Sequence, residues 1–121
     1  MVDVLATASP LAIDLYAKLL SAIAPIGGFH EEFKKTCIHV VRTSAFLGVH
    51  LRKEHLLVTI KSEKPVRSRR VVKADKASAK RWYLDVRIAA PSEIDKEFLG
   101  WVRHSYELSG DRAKAASARQ G

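Results

Sequence analysis

Apolar positions follow a helical period near the start of the chain, alternate through its middle, and return to a helical period near the end. Ser9 before Pro10 reads as an N-cap with proline at the first helical position, and Ala12, Leu15, Tyr16, Leu19, Leu20 and Ile23 recur on one face. This predicts a helix over about Pro10 to Ala24, stopped by Pro25, Gly27 and Gly28, with a loop through His30 and Glu32. From Lys35 the period is two. Ile38 and Val40 alternate with Cys37, His39 and Val41, and after a break at Arg42 to Ser44 a second run follows from Phe46 to Leu51, predicting a hairpin. Beyond Arg52 to Glu54, Leu56, Val58 and Ile60 make a third strand. Trp82, Leu84, Val86 and Ile88 make a fourth, with a short candidate strand at Arg70 to Lys73 on the way. Pro91 and Ser92 then open a second helix with Asp95 in its first turn, a stripe of Ile94, Phe98, Trp101, Val102 and Tyr106, and a stop at Gly110.

The prediction is a single α+β domain over residues 1–110. It comprises an N-terminal helix, an antiparallel sheet of four to five strands and a C-terminal helix, both helices on one sheet face. Residues 111–121, small, polar and alanine-rich, are expected to be frayed or disordered. A hairpin turn between Arg42 and Ala45 sets Val40 against Leu47 and Ile38 against Val49, and puts Cys37 opposite His50. Leu47, Val49 and Leu51 then lie beside Ile60, Val58 and Leu56, so one face is aliphatic. The opposite face collects Cys37, His39, Val41, Phe46, Gly48, His50, Leu57, Thr59 and Lys61, joined by Tyr83, Asp85 and Arg87.

Charge changes the picture most. Lys61 to Arg81 holds nine basic residues against Glu63 and Asp75, a net of +7 out of +8 for the chain. Charge so localised favours a polyanionic partner. At 121 residues the chain has room for one core. A lone Cys37 excludes an internal disulfide, and the first residues carry neither the basic nor the long apolar region of a secretory signal, so the expected location is the cytoplasm. The apolar runs fall far short of the about 20 residues a spanning helix needs, and no membrane association is expected.

Three sets of residues carry candidate chemistry. Cys37, His39 and His50 form a thiol and imidazole group in which an imidazole would draw the thiol proton. The stronger reading of the three is structural, because no glycine-rich elbow or oxyanion loop flanks Cys37. As a metal site the trio is one ligand short, and neither metal nor cofactor is assigned. Asp85 and Arg87 sit two apart on one strand face, where a surface ion pair is the commoner outcome. His50 and His55 frame a charged turn, more often simply solvated. In the basic stretch, Lys64, Arg67, Arg69, Arg70, Lys73, Lys80 and Arg81 are the anion-binding candidates, with Tyr83 placed to stack a base and Trp82 assigned to the core. A solvated basic loop with no such role weighs evenly against this.

The run Glu32-Phe33-Lys34-Lys35-Thr36-Cys37-Ile38-His39, then Val40-Val41-Arg42 and Ala45-Phe46-Leu47-Gly48-Val49-His50, resembles a family of small, mainly bacterial proteins known only as a domain of unknown function. The likeness continues through Leu56 to Ile60, Ser78-Ala79-Lys80-Arg81-Trp82, Val86-Arg87 and the last helix, covering about Leu15 to Leu108. The resemblance implies a compact α+β domain with recurring Lys34 to Thr36 and Ser78 to Arg81 segments, and no established substrate. If those segments meet, Lys35, His39, Arg81 and Arg87 would line one anion-friendly cleft. The helix-sheet-helix outline is also similar to the YjbR-like proteins, for which DNA binding has been suggested, but an outline does not carry a function.

The expected function is non-catalytic binding of an anionic partner, nucleic acid or a phosphate-bearing ligand, through the basic segment. The alternatives are a small-molecule binder or enzyme using Cys37, His39 and His50, and a protein-interaction or homodimerisation module covering the open face at Phe46 and Leu57. Enzymatic activity stays open.

Overall fold

A computed structural model describes residues 8–110. Helix α1 (Pro10–Ile23) starts where the Ser9 hydroxyl accepts from the Ala12 amide at 3.1 Å, and it buries Ala12, Leu15, Tyr16, Leu19 and Ile23. One turn of 3₁₀ helix (Ala24–Ile26) closes it. Six strands follow: β1 (His30–Phe33), β2 (Ile38–Val41), β3 (Ala45–Leu51), β4 (Leu56–Ser62), β5 (Val71–Ser78) and β6 (Arg81–Ile88). Helix α2 (Lys96–Gly110) is last. All pairings are antiparallel, in the order β1-β2-β3-β4-β6-β5. The segment between β4 and β5 therefore carries the chain past the place of β6 to the sheet edge, and β6 returns to fill the gap.

The α+β class and its helix-sheet-helix outline hold, with six strands in place of the expected four to five. The added strand at the start is β1, expected as a loop. Its His-Glu-Glu-Phe sequence has no alternation of apolar residues because it is exposed along its length. Pairing with β2 holds it, together with the Tyr16 hydroxyl, which donates to Glu31 Oε2 at 2.5 Å. At the other edge, β5 runs to Ser78 rather than ending at Lys73, for the same reason. Helix α2 begins later than expected. Pro91–Glu93 forms a separate 3₁₀ turn in which Glu93 Oε1 accepts from the Ala89 and Ala90 amides, and Asp95 becomes the cap by accepting from the Phe98 amide at 3.0 Å.

The central register is the expected one: Ile38 pairs with Val49, Val40 with Leu47, Val49 with Val58 and Leu47 with Ile60. Both helices cover this aliphatic face, where Val58, Leu84, Val86, Ile88, Phe98 and Val102 are wholly buried. Phe46 and Val41 were expected on the open face and are buried instead. Val41 pairs with Ala45 while Val40 pairs with Leu47, so Phe46 is the extra residue of a bulge. A bulge breaks the period of two. Phe46 accordingly packs edge-on against Tyr106 of α2, with ring centroids 4.9 Å apart, and against Phe29. The buried Ser105 hydroxyl donates to the Phe46 carbonyl and accepts from the Lys61 amide, tying α2 to β3 and β4 there. The expectation for residues 111–121 lies outside the described residues. Among the described residues no helix is long and apolar enough to cross a membrane.

Candidate functional site

Strand pairing assembles the open face in rows. The central row reads Glu32, His39, Gly48, Thr59, Asp85, Lys73 across all six strands. On one side of it His50, Leu57 and Arg87 are paired in a row, and on the other Lys61, Tyr83 and Asp75. Gly48 leaves the middle of the sheet without a side chain, and a hollow of about 390 Å³ opens there. It is lined by Cys37, His39, His50, Thr59, Lys61 and Tyr83 among others, which brings together most of the open-face candidates. A Cβ at position 48 would meet only the Thr59 Cβ, at an ordinary 3.7 Å, so the hollow is open space rather than a tight packing point.

Asp85 accepts from the Thr59 hydroxyl at 2.6 Å, and this, rather than the expected pairing with Arg87, holds its carboxylate. Partial burial, and after it the nearby Arg52 charge, hold His50 below the ordinary imidazole value. His55 is lowered as well, by burial first and then by Arg87 and Arg52. At the outer end of the central row, hydrogen bonds from His30 and then Lys34 hold Glu32 below the usual carboxylate range. Among the described residues no group of three or more histidine, cysteine, aspartate or glutamate side chains is placed to hold a metal ion.

The basic candidates separate into two groups. Arg70 faces inward: its guanidinium binds Asp95 at 2.9 Å, Glu97 at 3.1 Å and the Glu93 carbonyl, and lies 5.6 Å from the Trp101 ring centroid. Only 19% of its side chain is exposed. Lys61, on the open face, donates to the Ser44 hydroxyl at 2.9 Å. Lys64, Arg67, Arg69, Lys73, Lys76 and Lys80 are exposed, and Arg81 is half-buried with its Nε lacking a partner. Of the exposed set only Lys73 has an acidic partner among the described residues, Asp75 at 3.5 Å.

Arg69 and Arg87, one from the basic segment and one from the open face, line a common hollow of about 390 Å³ together with Arg70, Val72, Ala89 and Glu93. The expected cleft of Lys35, His39, Arg81 and Arg87 does not form. Arg81 and Arg87 lie near opposite ends of β6, six residues or about 20 Å apart at the rise of a strand. Tyr83 is exposed on the open face, and Trp82 packs against the core as expected.

Sequence reasoning did not single out Gly48 as the floor of the hollow or Thr59 as the partner of Asp85. A glycine inside a strand was the signal for the first. The second follows only from the pairing of β4 with β6.

A family model described as a domain of unknown function (DUF5655) matches residues 1–109. No curated protein and no solved structure shows a significant match.

Proposed function

Because the chain belongs to the family described as a domain of unknown function, DUF5655, its function rests on its own residues, and we propose that it is a non-catalytic binding domain for an anionic partner. The partner is nucleic acid or a phosphate-bearing ligand, held by the outward cations of the segment between β4 and β6. One observation carries this reading: the stretch of net charge +7 includes the exposed edge strand β5 and its flanks, where among the described residues Arg67, Arg69, Lys76 and Lys80 are exposed and have no acidic partner. Such cations displace counterions when they meet phosphates.

The form of the edge supports side-chain binding over strand addition. The register of β5 on β6 breaks between Val71 and Lys73 and again between Lys76 and Ser78. Breaks of this kind, with lysines between them, discourage another strand from pairing. Arg69 and Arg87, in one hollow with the paired Arg70 and with Glu93, whose carboxylate is taken by the Ala89 and Ala90 amides, add a place where two guanidinium groups grip one phosphate. Anisotropy of labelled single- and double-stranded DNA and RNA, repeated across a salt series, tests the reading. Binding that weakens on a steep log-salt slope supports it. No binding at low salt removes it.

The hollow over Gly48 supports a second reading, a small ligand held among His39, His50, Thr59 and Tyr83 with Cys37 at its wall. If Cys37 acts there as a nucleophile, its rate of reaction with a thiol reagent depends on His50 and drops in His50→Ala. An unchanged rate rejects the nucleophile.

A further inference from the structure

Between the segment leading out of β4 and helix α2 lies a second hollow of about 570 Å³ that no open-face residue enters except Lys61. Its base is apolar, with the buried Ile60 and Leu84 beneath Pro65 and Val66, and the half-buried Trp101 forms one wall. Its rim carries Lys64 and Arg67, both exposed, and His104. An apolar slot with an aromatic wall and a cationic mouth is complementary to one kind of ligand: a flat apolar body that carries a negative charge.

We infer that this hollow takes an unpaired nucleotide, its base against Trp101 and its phosphate at Lys64 and Arg67. The inference rests on the anion-binding reading above and names the unit that the segment recognises. Three features support it. The cations at the mouth belong to the same segment as the exposed edge cations, so a strand of phosphates lying along that segment passes the opening. Aromatic side chains hold single-stranded nucleic acid by stacking, which a paired base inside a duplex cannot offer. The aromatic wall is also fixed in advance, because Arg70 sits over the Trp101 ring while bound to Asp95, Glu97 and the Glu93 carbonyl.

A free mononucleotide and a single-stranded oligonucleotide present the same base and phosphate, so the experiment uses both. Trp82 and Trp101 are the only tryptophans, and Trp82→Phe leaves Trp101 as the sole indole. In that full-length background the emission is titrated at low salt with adenosine monophosphate, with an eight-nucleotide single strand and with a duplex of equal length. Quenching by the first two and not by the duplex is the expected result. Quenching by the mononucleotide alone assigns the hollow to a free nucleotide, and by the single strand alone to a nucleic acid. Stacking of one base predicts that Trp101→Leu weakens single-strand affinity about tenfold. Should Trp101→Leu unfold the domain, Lys64→Gln with Arg67→Gln, both at exposed positions, is expected to abolish the quenching in its place.

Salt-dependent oligonucleotide binding with no quenching, or with equal affinity for the duplex, overturns the hollow and leaves the basic edge standing. Quenching by octanoate but not by adenosine monophosphate also overturns it, in favour of an acyl anion. No binding of any oligonucleotide overturns both readings.

Discussion

The basic stretch divides into an inward part and an outward part that composition does not distinguish. Arg69 is exposed, while its chain neighbour Arg70, which lines the same hollow, is mostly buried and bound to Asp95, Glu97 and the Glu93 carbonyl. Lys61 donates to the Ser44 hydroxyl, while Lys76 on the edge strand and Lys80 in the turn after it are exposed with no acidic partner among the described residues. A count of charges thus overstates the surface available to an anion, because part of the charge fastens the segment to the helix beside it. The inward cation sets where the outward ones stand.

The largest expected effect falls on the outward part. Replacing Lys73, Lys76 and Lys80 with glutamine removes three cations from the edge, and for every phosphate that no longer meets a cation the log-log salt slope flattens by about 0.9 on duplex DNA. If all three meet phosphates, affinity near 0.1 M salt falls on the order of a hundredfold. The melting temperature stays the same, because the three side chains are exposed. Anisotropy and thermal melting of the same preparation check both halves of this expectation.

Arg70→Met tests the inward part. It removes the bonds to Asp95, Glu97 and the Glu93 carbonyl and keeps the apolar packing on Trp101, at an expected cost of about 1–2 kcal/mol, measured by denaturant unfolding. The acidic partners are half-exposed and rehydrate once the arginine is gone, which keeps the cost modest. Ser62→Ala acts at the start of the segment. The buried Ser62 hydroxyl donates to the Lys64 carbonyl at 2.6 Å and accepts from the Lys64 amide, and removing both bonds costs about 1 kcal/mol in the same assay.

Acid sharpens the contrast by the smallest amount. The hydrogen bond from Arg70, and after it the Phe98 amide, hold the Asp95 carboxyl below the usual carboxylate range. A depressed carboxylate contributes stability that is present above its unfolded value, about 3.9, and is lost as pH falls through the lower folded value. Stability measured from pH 6 down to pH 2 therefore declines on the acid side, and the decline is shallower in Arg70→Met. Equal slopes would remove this pair as a source of acid sensitivity.

The same division explains what was legible in the sequence. Strands β2, β3, β4 and β6 were readable because one of their faces meets two helices, which forces Ile38, Val49, Val58 and Leu84 into alternation. Strands β1 and β5 lie at the edges, where neither face is buried enough to impose a pattern, so their existence depends on a partner strand. Phe46 was assigned to the wrong face because it is the extra residue of a bulge, where the period of two breaks. For the candidate site, the sequence identified the cations and the open-face histidines but not their partners. Arg70 meets Asp95 and Glu97 across twenty-five and twenty-seven residues. The hollow over Gly48 required the register of four strands, β2, β3, β4 and β6.

The most direct measurement compares two neighbouring single substitutions, Arg69→Gln and Arg70→Gln, in paired assays of melting temperature and single-strand affinity. Each removes one positive charge, so net charge cannot account for a difference between them. The account predicts that Arg69→Gln weakens binding by about fivefold at low salt and leaves melting unchanged. It predicts that Arg70→Gln lowers the melting temperature and leaves affinity within about twofold, its charge being already neutralised by Asp95 and Glu97. Equal losses of affinity with no change in melting for either variant would contradict it.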